Sequence, residues 1–167
     1  MIQYKTGNLI EADADCIICH QVNCRGAMNS GIAKAIRQKW PKVYKEYIAK
    51  AQDVMVIGQG SEEHSLLHMF GLIQPVYIPE ENRMIINMFA QEGYGYDGRR
   101  YTSYDAFWSC LGEIKKYITP GAKIGFPDHI GCCRGGANWE VIRTMIEEVL
   151  GDKFEVYIYK YELEDIK

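Results

Sequence analysis

The sequence predicts an α/β fold, a three-layer α/β/α sandwich around a mixed, mostly parallel sheet. Three observations predict it. Short apolar runs alternate with segments of helical period along the chain. Several of those runs are apolar on both faces, as in Cys16-Ile17-Ile18-Cys19, which suits a strand covered on two sides. Two runs lead into glycine-rich loops that open helices, the arrangement that places ligands at the carboxyl ends of parallel strands.

The elements follow in order. Residues 2–5 read as a short first strand, broken by Gly7-Asn8. Residues 15–22 are an apolar run with polar bounds, a buried strand. Residues 23–30 form a loop rich in Asn, Gly and Ser. Residues 31–39 are helical, with Ile32, Ala35 and Ile36 on one face, and Pro41 stops that helix or opens the next. Residues 42–51 continue as a helix with Val43, Tyr47 and Ile48 inward. A strand is expected at 54–57 and a short helix near 62–70. Residues 72–78 and 84–89 are strands joined by a hairpin at 80–83. A loop at 93–100 precedes a helix at 102–117, capped by Thr102 or Ser103. Then come a strand at 123–126, a second loop at 129–136, a helix at 138–150 ended by Gly151, and a last strand at 154–159. No repeat or linker interrupts this, and the 167 residues are read as one domain, 1–167.

Composition narrows the function. Apolar residues make up 47% and charged residues 25%, ordinary for a soluble globular protein. No apolar run approaches the ~20 residues that span a membrane, and the N-terminus has no basic segment followed by an apolar one. The expected compartment is the cytoplasm, with no membrane partner. A net charge of −3 argues against broad capture of nucleic acid. It leaves a small phosphorylated ligand open, because backbone N–H groups at loops and helix N-termini hold phosphate without net positive charge. The 6 cysteines are read as free thiols, mostly small buried hydrophobes. Cys16, Cys19 and His20 have zinc-like spacing, but neighbouring strand residues face opposite ways and no second ligand pair follows, so no metal site is expected. No cofactor is expected either.

The two loops carry the functional reading. The first runs Asn23-Cys24-Arg25-Gly26-Ala27-Met28-Asn29-Ser30-Gly31 and the second Gly131-Cys132-Cys133-Arg134-Gly135-Gly136. Glycine lets a backbone approach an anion closely, and each loop meets a helix N-terminus with unpaired N–H donors. Side by side, two such loops would clamp a diphosphate; each alone is also an ordinary strand-to-helix turn.

Longer strings carry a resemblance. His20-Gln21-Val22-Asn23-Cys24-Arg25-Gly26-Ala27-Met28-Asn29-Ser30-Gly31-Ile32-Ala33-Lys34-Ala35-Ile36, followed by Trp40-Pro41-Lys42-Val43-Tyr44, resembles the first ligand loop of macrodomains. Phe89-Ala90-Gln91, Tyr94-Gly95 and Arg100-Tyr101-Thr102-Ser103-Tyr104 resemble the middle of bacterial and phage members. Ile130-Gly131-Cys132 with Gly135-Gly136 and Trp139 resembles the second loop, and Gly7-Asn8-Leu9 the segment after the first strand. The matches are collinear over nearly the whole chain. They point to the macrodomain (Appr-1''-p processing) family, near ADP-ribose-1''-phosphate phosphatases and terminal ADP-ribose protein glycohydrolases.

The resemblance implies a ligand, ADP-ribose or a terminal derivative, with an ADP-ribosylated protein as a further partner. It implies that Asn8 accepts from the adenine amino group, where the family commonly has aspartate, and that Leu9 offers its backbone N–H to the ring. Asn23 would face the distal ribose, Ser30, Gly31 and Ile32 would hold one phosphate, and Gly131, Cys132, Cys133, Arg134 and Gly135 would wrap the other phosphate and the ribose between. Catalysis rests on fewer residues. Ala33 stands where deacetylase-type members carry aspartate. Gln91 and Gly135 stand near the lysine and aspartate positions of the glutamate-specific glycohydrolases. The expected chemistry is hydrolysis of ADP-ribose-1''-phosphate or of an ester-linked ADP-ribose, with His20 and Asp97 as candidate acid/base groups and Asn23 beside them; the alternative is a binding module without turnover. His20 also reads as a hydrogen-bonded structural residue and Asp97 as a solvated turn residue. His129 is a weaker candidate. Tyr94, Tyr96, Arg99, Arg100 and Tyr101 are read as a lid, arginine meeting phosphate and tyrosine stacking on sugar or base.

Overall fold

A computed structural model describes residues 1–55 and 62–161. The chain forms β1 (Ile2–Thr6), β2 (Cys16–Asn23), α1 (Gly31–Lys39), α2 (Pro41–Ala49), β3 (Gln52–Met55), β4 (Glu62–Ser65), β5 (Ile73–Ile78), β6 (Arg83–Gln91), α3 (Tyr104–Tyr117), β7 (Lys123–Pro127), α4 (Trp139–Leu150) and β8 (Glu155–Lys160). Single 3-10 turns occupy Leu9–Glu11, Leu67–Met69 and Pro79–Glu81.

Six strands make the main sheet in the order β1-β8-β7-β2-β6-β5. Every neighbouring pair is parallel except β5 with β6, whose antiparallel hairpin turns through Asn82 in the left-handed region at φ 50°. The expected sandwich with a mixed, mostly parallel sheet is what the chain forms. β3 and β4 make a separate antiparallel pair. A strand therefore stands where residues 62–65 were expected to start a short helix, and only the turn at Leu67–Met69 is helical. The strand expected at 54–57 starts earlier, at Gln52, and its last two positions lie outside the described residues.

Each helix is set by its apolar spacing. In α3, Ala106, Phe107, Cys110, Leu111 and Ile114 recur at three- and four-residue steps and are buried; in α4, Ile142, Ile146 and Leu150 do the same. These two helices cover one face of the sheet, over Cys19, Ile86, Met88, Ile124, Phe126 and Val156. The helices α1 and α2 cover the other through Ile36, Val43 and Tyr47, over Ile18, Val22, Ile85 and Phe89. Burying each large apolar side chain contributes roughly 1.5–3 kcal/mol. Cys16 and Cys19 belong to opposite faces, as strand alternation requires. Gly151 follows α4 at φ −59°, so the helix runs out into a turn instead of stopping at a left-handed cap. Among the described residues no helix is long and apolar enough to cross a membrane.

The sheet order fixes where a ligand can go. Strand β2 lies between β7 and β6, and β7 leads outward to β8 and β1 while β6 leads outward to β5. The strand sequence reverses between β2 and β7, and a parallel pair brings their carboxyl ends to one edge. The first loop leaves β2 and the second leaves β7, so the two loops meet there.

Candidate functional site

Between the loops lies a cavity of about 720 Å³, within the range of small-molecule sites. Asn8, Leu9, Asn23, Ser30, Gly31, Ile32, Gly131, Cys133, Arg134 and Gly135 line it. Gln21, Gln91, Tyr94, Tyr96, Asp128, His129 and Tyr159 complete much of the wall.

The first loop is held from within. The Asn23 amide oxygen accepts from the backbone N–H groups of Arg25 (3.0 Å) and Ala27 (3.3 Å), and its Nδ2 donates to Ala27 O at 2.7 Å. The buried Tyr47 hydroxyl donates to Asn23 O at 2.7 Å and accepts from Gly26 N at 3.1 Å. Asn23 thus holds the loop's own backbone through its oxygen and one Nδ2 hydrogen while lining the cavity.

At the end of that loop, α1 begins without a side-chain cap and with no acidic residue in its first turn. The N-caps of α3 and α4 do the opposite: Ser103 Oγ accepts from Ala106 N, and Asn138 Oδ1 from Glu140 N and Val141 N. The first intrahelical bond of α1 is Lys34 N to Ser30 O. The N–H groups of Gly31, Ile32 and Ala33 therefore have no intrahelical acceptor, and these three residues line the cavity. Gly31 takes φ +56°, and a Cβ there would meet nothing within 4 Å, so its α-carbon faces open space.

Arg134 closes the opposite side. Its Nη1 donates to Ser30 Oγ at 2.7 Å, joining the loops, and its guanidinium lies 4.4 Å from the Tyr94 ring centroid and 5.7 Å from that of Tyr96. Among the described residues its buried Nε has no hydrogen-bond partner. The uncapped positive end of α1 and this guanidinium face one space and form an anion cradle. The second loop is fastened by Gly135 O, which accepts from Tyr101 N (2.8 Å) and Thr102 N (2.9 Å), and by Thr102 Oγ1 donating to Gly131 O at 2.9 Å. A Cβ at Gly135 would overlap Thr102 Oγ1 and Gly131 O, so only glycine permits this packing.

Three residues expected in the site take other places. His20 is 0% exposed and absent from the cavity wall. Strand alternation puts it with Ile18 and Val22 beneath α2, at the centre of a polar row across the sheet. Asn87 Nδ2 donates to Gln74 Oε1 (3.0 Å) and Gln74 Nε2 to Glu46 O (2.8 Å). The Asn87 oxygen is left to accept from His20 Nε2 at 2.5 Å, which fixes the tautomer. Burial lowers the imidazole pKa to about 4, partly opposed by the Asn87 hydrogen bond. His20 is therefore a neutral structural residue near pH 7, which corrects the expectation of a proton-transfer group at the ligand. Asp97 stands in the exposed loop outside the cavity wall, where its carboxylate accepts from Tyr101 OH (2.7 Å) and Arg99 N (3.1 Å). The Tyr101 hydrogen bond, then that of Arg99 N, lowers its pKa. Cys132 turns inward, its thiol 3.5 Å from Ile130 O and packed on the core, while Cys133 faces the cavity; burial raises the Cys132 pKa to about 11.

Sequence reasoning passed over a second network and Asp128, the partner of the weaker candidate His129. Gln21 Nε2 donates to Gln91 Oε1 (2.9 Å) and Thr102 Oγ1 (2.8 Å), and Gln91 Nε2 donates to Gly93 O (2.6 Å). These amides tie β2, β6 and both loops at the cavity floor, and nothing in their spacing marks them in the sequence. Asp128 Oδ1 lies 3.0 Å from His129 Nδ1, and His129 takes φ 57° and stacks on Trp139 at 5.1 Å. Asp128 N donates to Tyr159 O at 3.0 Å, which sets this pair at the Leu9 and Tyr159 end of the cavity. Among the described residues no cluster of His, Cys, Asp and Glu has the makings of a metal site.

Solved structures are similar over nearly the whole chain. A protein of unknown function from Bacteroides thetaiotaomicron superposes with TM-score 0.71 at 22% identity, covering 96% of this chain and 98% of its own. The macrodomain of Mycobacterium tuberculosis DarG gives 0.67 at 20%, covering 95% and 97%. Thermosipho africanus DarTG, in complex with ADP-ribose, gives 0.65 at 18%, covering 92% of this chain and 41% of its own. No protein-family model and no curated protein matches the sequence. With its strand order, its covering helices and the two loops meeting at the β2–β7 edge, the chain has the macrodomain fold.

Proposed function

We propose that the cavity binds ADP-ribose, free or as the terminal group of a larger molecule such as a modified protein. The observation that carries this reading is the anion cradle, with the uncapped α1 N-terminus at Ser30–Ala33 facing Arg134 across the cleft. A diphosphate placed there meets N–H donors on one side and a guanidinium on the other. The adenosine then extends toward Asn8, Leu9 and Tyr159, and the distal ribose toward Gln21, Gln91 and Tyr94. The ADP-ribose complex of Thermosipho africanus DarTG supports the same ligand class.

Hydrolysis of a terminal derivative and binding without turnover both follow from such a site. The disposition of the candidate residues favours binding. His20 is sealed beneath α2, Asp97 stands outside the wall, and Asn23 is an amide, which does not titrate, with its oxygen held by its own loop. The Asp128–His129 pair lies at the adenosine end, away from the distal ribose. Calorimetry against ADP-ribose and AMP tests the binding. We expect a dissociation constant in the micromolar range for ADP-ribose, about −7 to −8 kcal/mol, and a much weaker one for AMP. Equal affinities would remove the diphosphate from the account. Phosphate release from ADP-ribose-1''-phosphate, or label loss from glutamate-modified protein, at a rate unchanged in His20→Gln would show turnover that needs no His20.

A further inference from the structure

The second loop starts where the base end of the main cavity meets its phosphate end. Asp128 follows β7 directly, and its backbone N–H donates to Tyr159 O at 3.0 Å. Tyr159 and Leu9 lie together there, since a Cβ on Gly125 would come within 2.8 Å of Leu9 Cδ1 and 3.3 Å of Tyr159 Cε2. From Asp128 the loop runs on to Gly131 and then to Arg134 of the anion cradle. Asp128 therefore stands between the residues set for adenine and those set for the diphosphate. In ADP-ribose that interval is filled by the adenosine ribose.

Most acceptors of the cavity wall are engaged by the protein itself. Asn8 Oδ1 accepts from Ile10 N (3.2 Å), Asn29 Oδ1 from Arg37 Nη1 (3.2 Å), and Gln91 Oε1 from Gln21 Nε2 (2.9 Å). Two buried oxygens of the wall accept no hydrogen bond from the described residues: Gln21 Oε1, at the Gln91 end, and Asp128 Oδ1. His129 Nδ1 approaches Asp128 Oδ1 to 3.0 Å without the alignment of a hydrogen bond. The Asp128 side chain keeps 16% of its surface exposed, so the carboxylate is reached from the cavity that it lines. Among the described residues it is the one carboxylate in that wall. The cations sharing the wall are Arg134, in the cradle, and Lys160, whose carbonyl accepts from Gly7 N (2.9 Å) at the Asn8 end; His129 adds a charge when protonated. A carboxylate is acceptor-only. Beside a diphosphate it repels the ligand unless the ligand brings donors to it.

We infer that Asp128 is a specificity-determining residue that accepts from the adenosine-ribose hydroxyls, so that the site takes nucleotides with a free 2',3'-diol and rejects those phosphorylated at the 2' position. The inference rests on the ADP-ribose reading of the main cavity for the placement of that ribose. The diol supplies the donors that the carboxylate lacks. A 2'-phosphate removes one donor and sets a charge of about −2 against the carboxylate. Dinucleotide sites divide in the same way, an acidic residue meeting the ribose hydroxyl and an arginine the 2'-phosphate.

The test is calorimetry of the chain with ADP-ribose, with its adenosine 2'-phosphate, and with the analogue lacking both adenosine-ribose hydroxyls. The parent should bind ADP-ribose about tenfold more tightly than either of the others. Asp128→Ala should lose both preferences. Asp128→Asn keeps the shape and an acceptor oxygen without the charge, so it should keep part of the hydroxyl preference and bind the 2'-phosphate more tightly than the parent does. Equal affinity of the parent for ADP-ribose and the dideoxy analogue, or preferences that survive Asp128→Ala, overturns the inference and leaves the ADP-ribose reading standing. Should Asp128→Ala fail to fold, by circular dichroism, an undiminished rejection of the 2'-phosphate in Asp128→Asn overturns it equally. No binding of ADP-ribose by the parent removes the main-cavity reading, and this inference with it.

Discussion

Replacing His20 with glutamine separates structure from chemistry at the residue that looks most catalytic in the sequence. Glutamine keeps an N–H donor for Asn87 but does not titrate. In the folded chain the imidazole is fully buried and its pKa is lowered to about 4 from 6.5. A histidine depressed in this way stays neutral in the folded state while the unfolded chain takes up its proton. Its contribution to stability is present above about pH 6.5 and is lost as pH falls toward 4. Linkage gives a loss of about 2 kcal/mol by pH 5 and about 3 kcal/mol by pH 4. Urea unfolding at several pH values, followed by circular dichroism, reads this directly. The parent should lose stability faster than His20→Gln as pH falls from 7 to 4, the gap growing by about 3 kcal/mol. ADP-ribose affinity at pH 7.5 should be the same in both proteins. Parallel stability curves would refute the burial argument, because an accessible imidazole has no depressed pKa to lose.

Other perturbations reach the site itself. Gly31→Glu should abolish ADP-ribose binding by placing a carboxylate at the α1 N-terminus; the side chain enters open space but takes φ +56°, so melting should fall by only a few degrees, on the order of 1–2 kcal/mol. Retained binding in that variant would move the phosphate elsewhere. Arg134→Ala should weaken ADP-ribose by about tenfold or more, read by calorimetry, and an unchanged constant would leave Arg134 as a mere tie between loops. Gly135→Ala forces a Cβ into Thr102 and the Gly131 carbonyl, so both thermal stability and binding should drop. A melting point equal to the parent's would mean that the second loop shifts without cost.

Much of this was readable from the chain. The helix expected at 102–117 forms as α3 (Tyr104–Tyr117) with Ser103 as its cap, and the two glycine-rich loops identified the edge where a ligand can sit. Other features depend on distant partners. Whether His20 meets a ligand or the underside of α2 turns on which strand face each helix covers, and that is set by packing between elements far apart in sequence. The same holds for Asn23, whose side chain looks free until the loop folds back to Arg25 and Ala27. Residues 62–65 were misread as helix because Glu62-Glu63-His64-Ser65 has no alternating apolar face, and pairing with β3 makes them a strand. Gln21 and Gln91 left no mark, since two glutamines 70 positions apart reveal a hydrogen bond only once β2 lies beside β6.

On the proposed reading the two loops clamp a diphosphate between the α1 N-terminus and Arg134. A crystal structure of the chain with ADP-ribose tests it most directly. Diphosphate oxygens should lie within hydrogen-bond distance of the Gly31 and Ile32 backbone N–H groups and of the Arg134 guanidinium, with adenine beside Asn8 and Leu9. A ligand bound elsewhere, or one lying in this cavity with its phosphates turned away from α1, would contradict it.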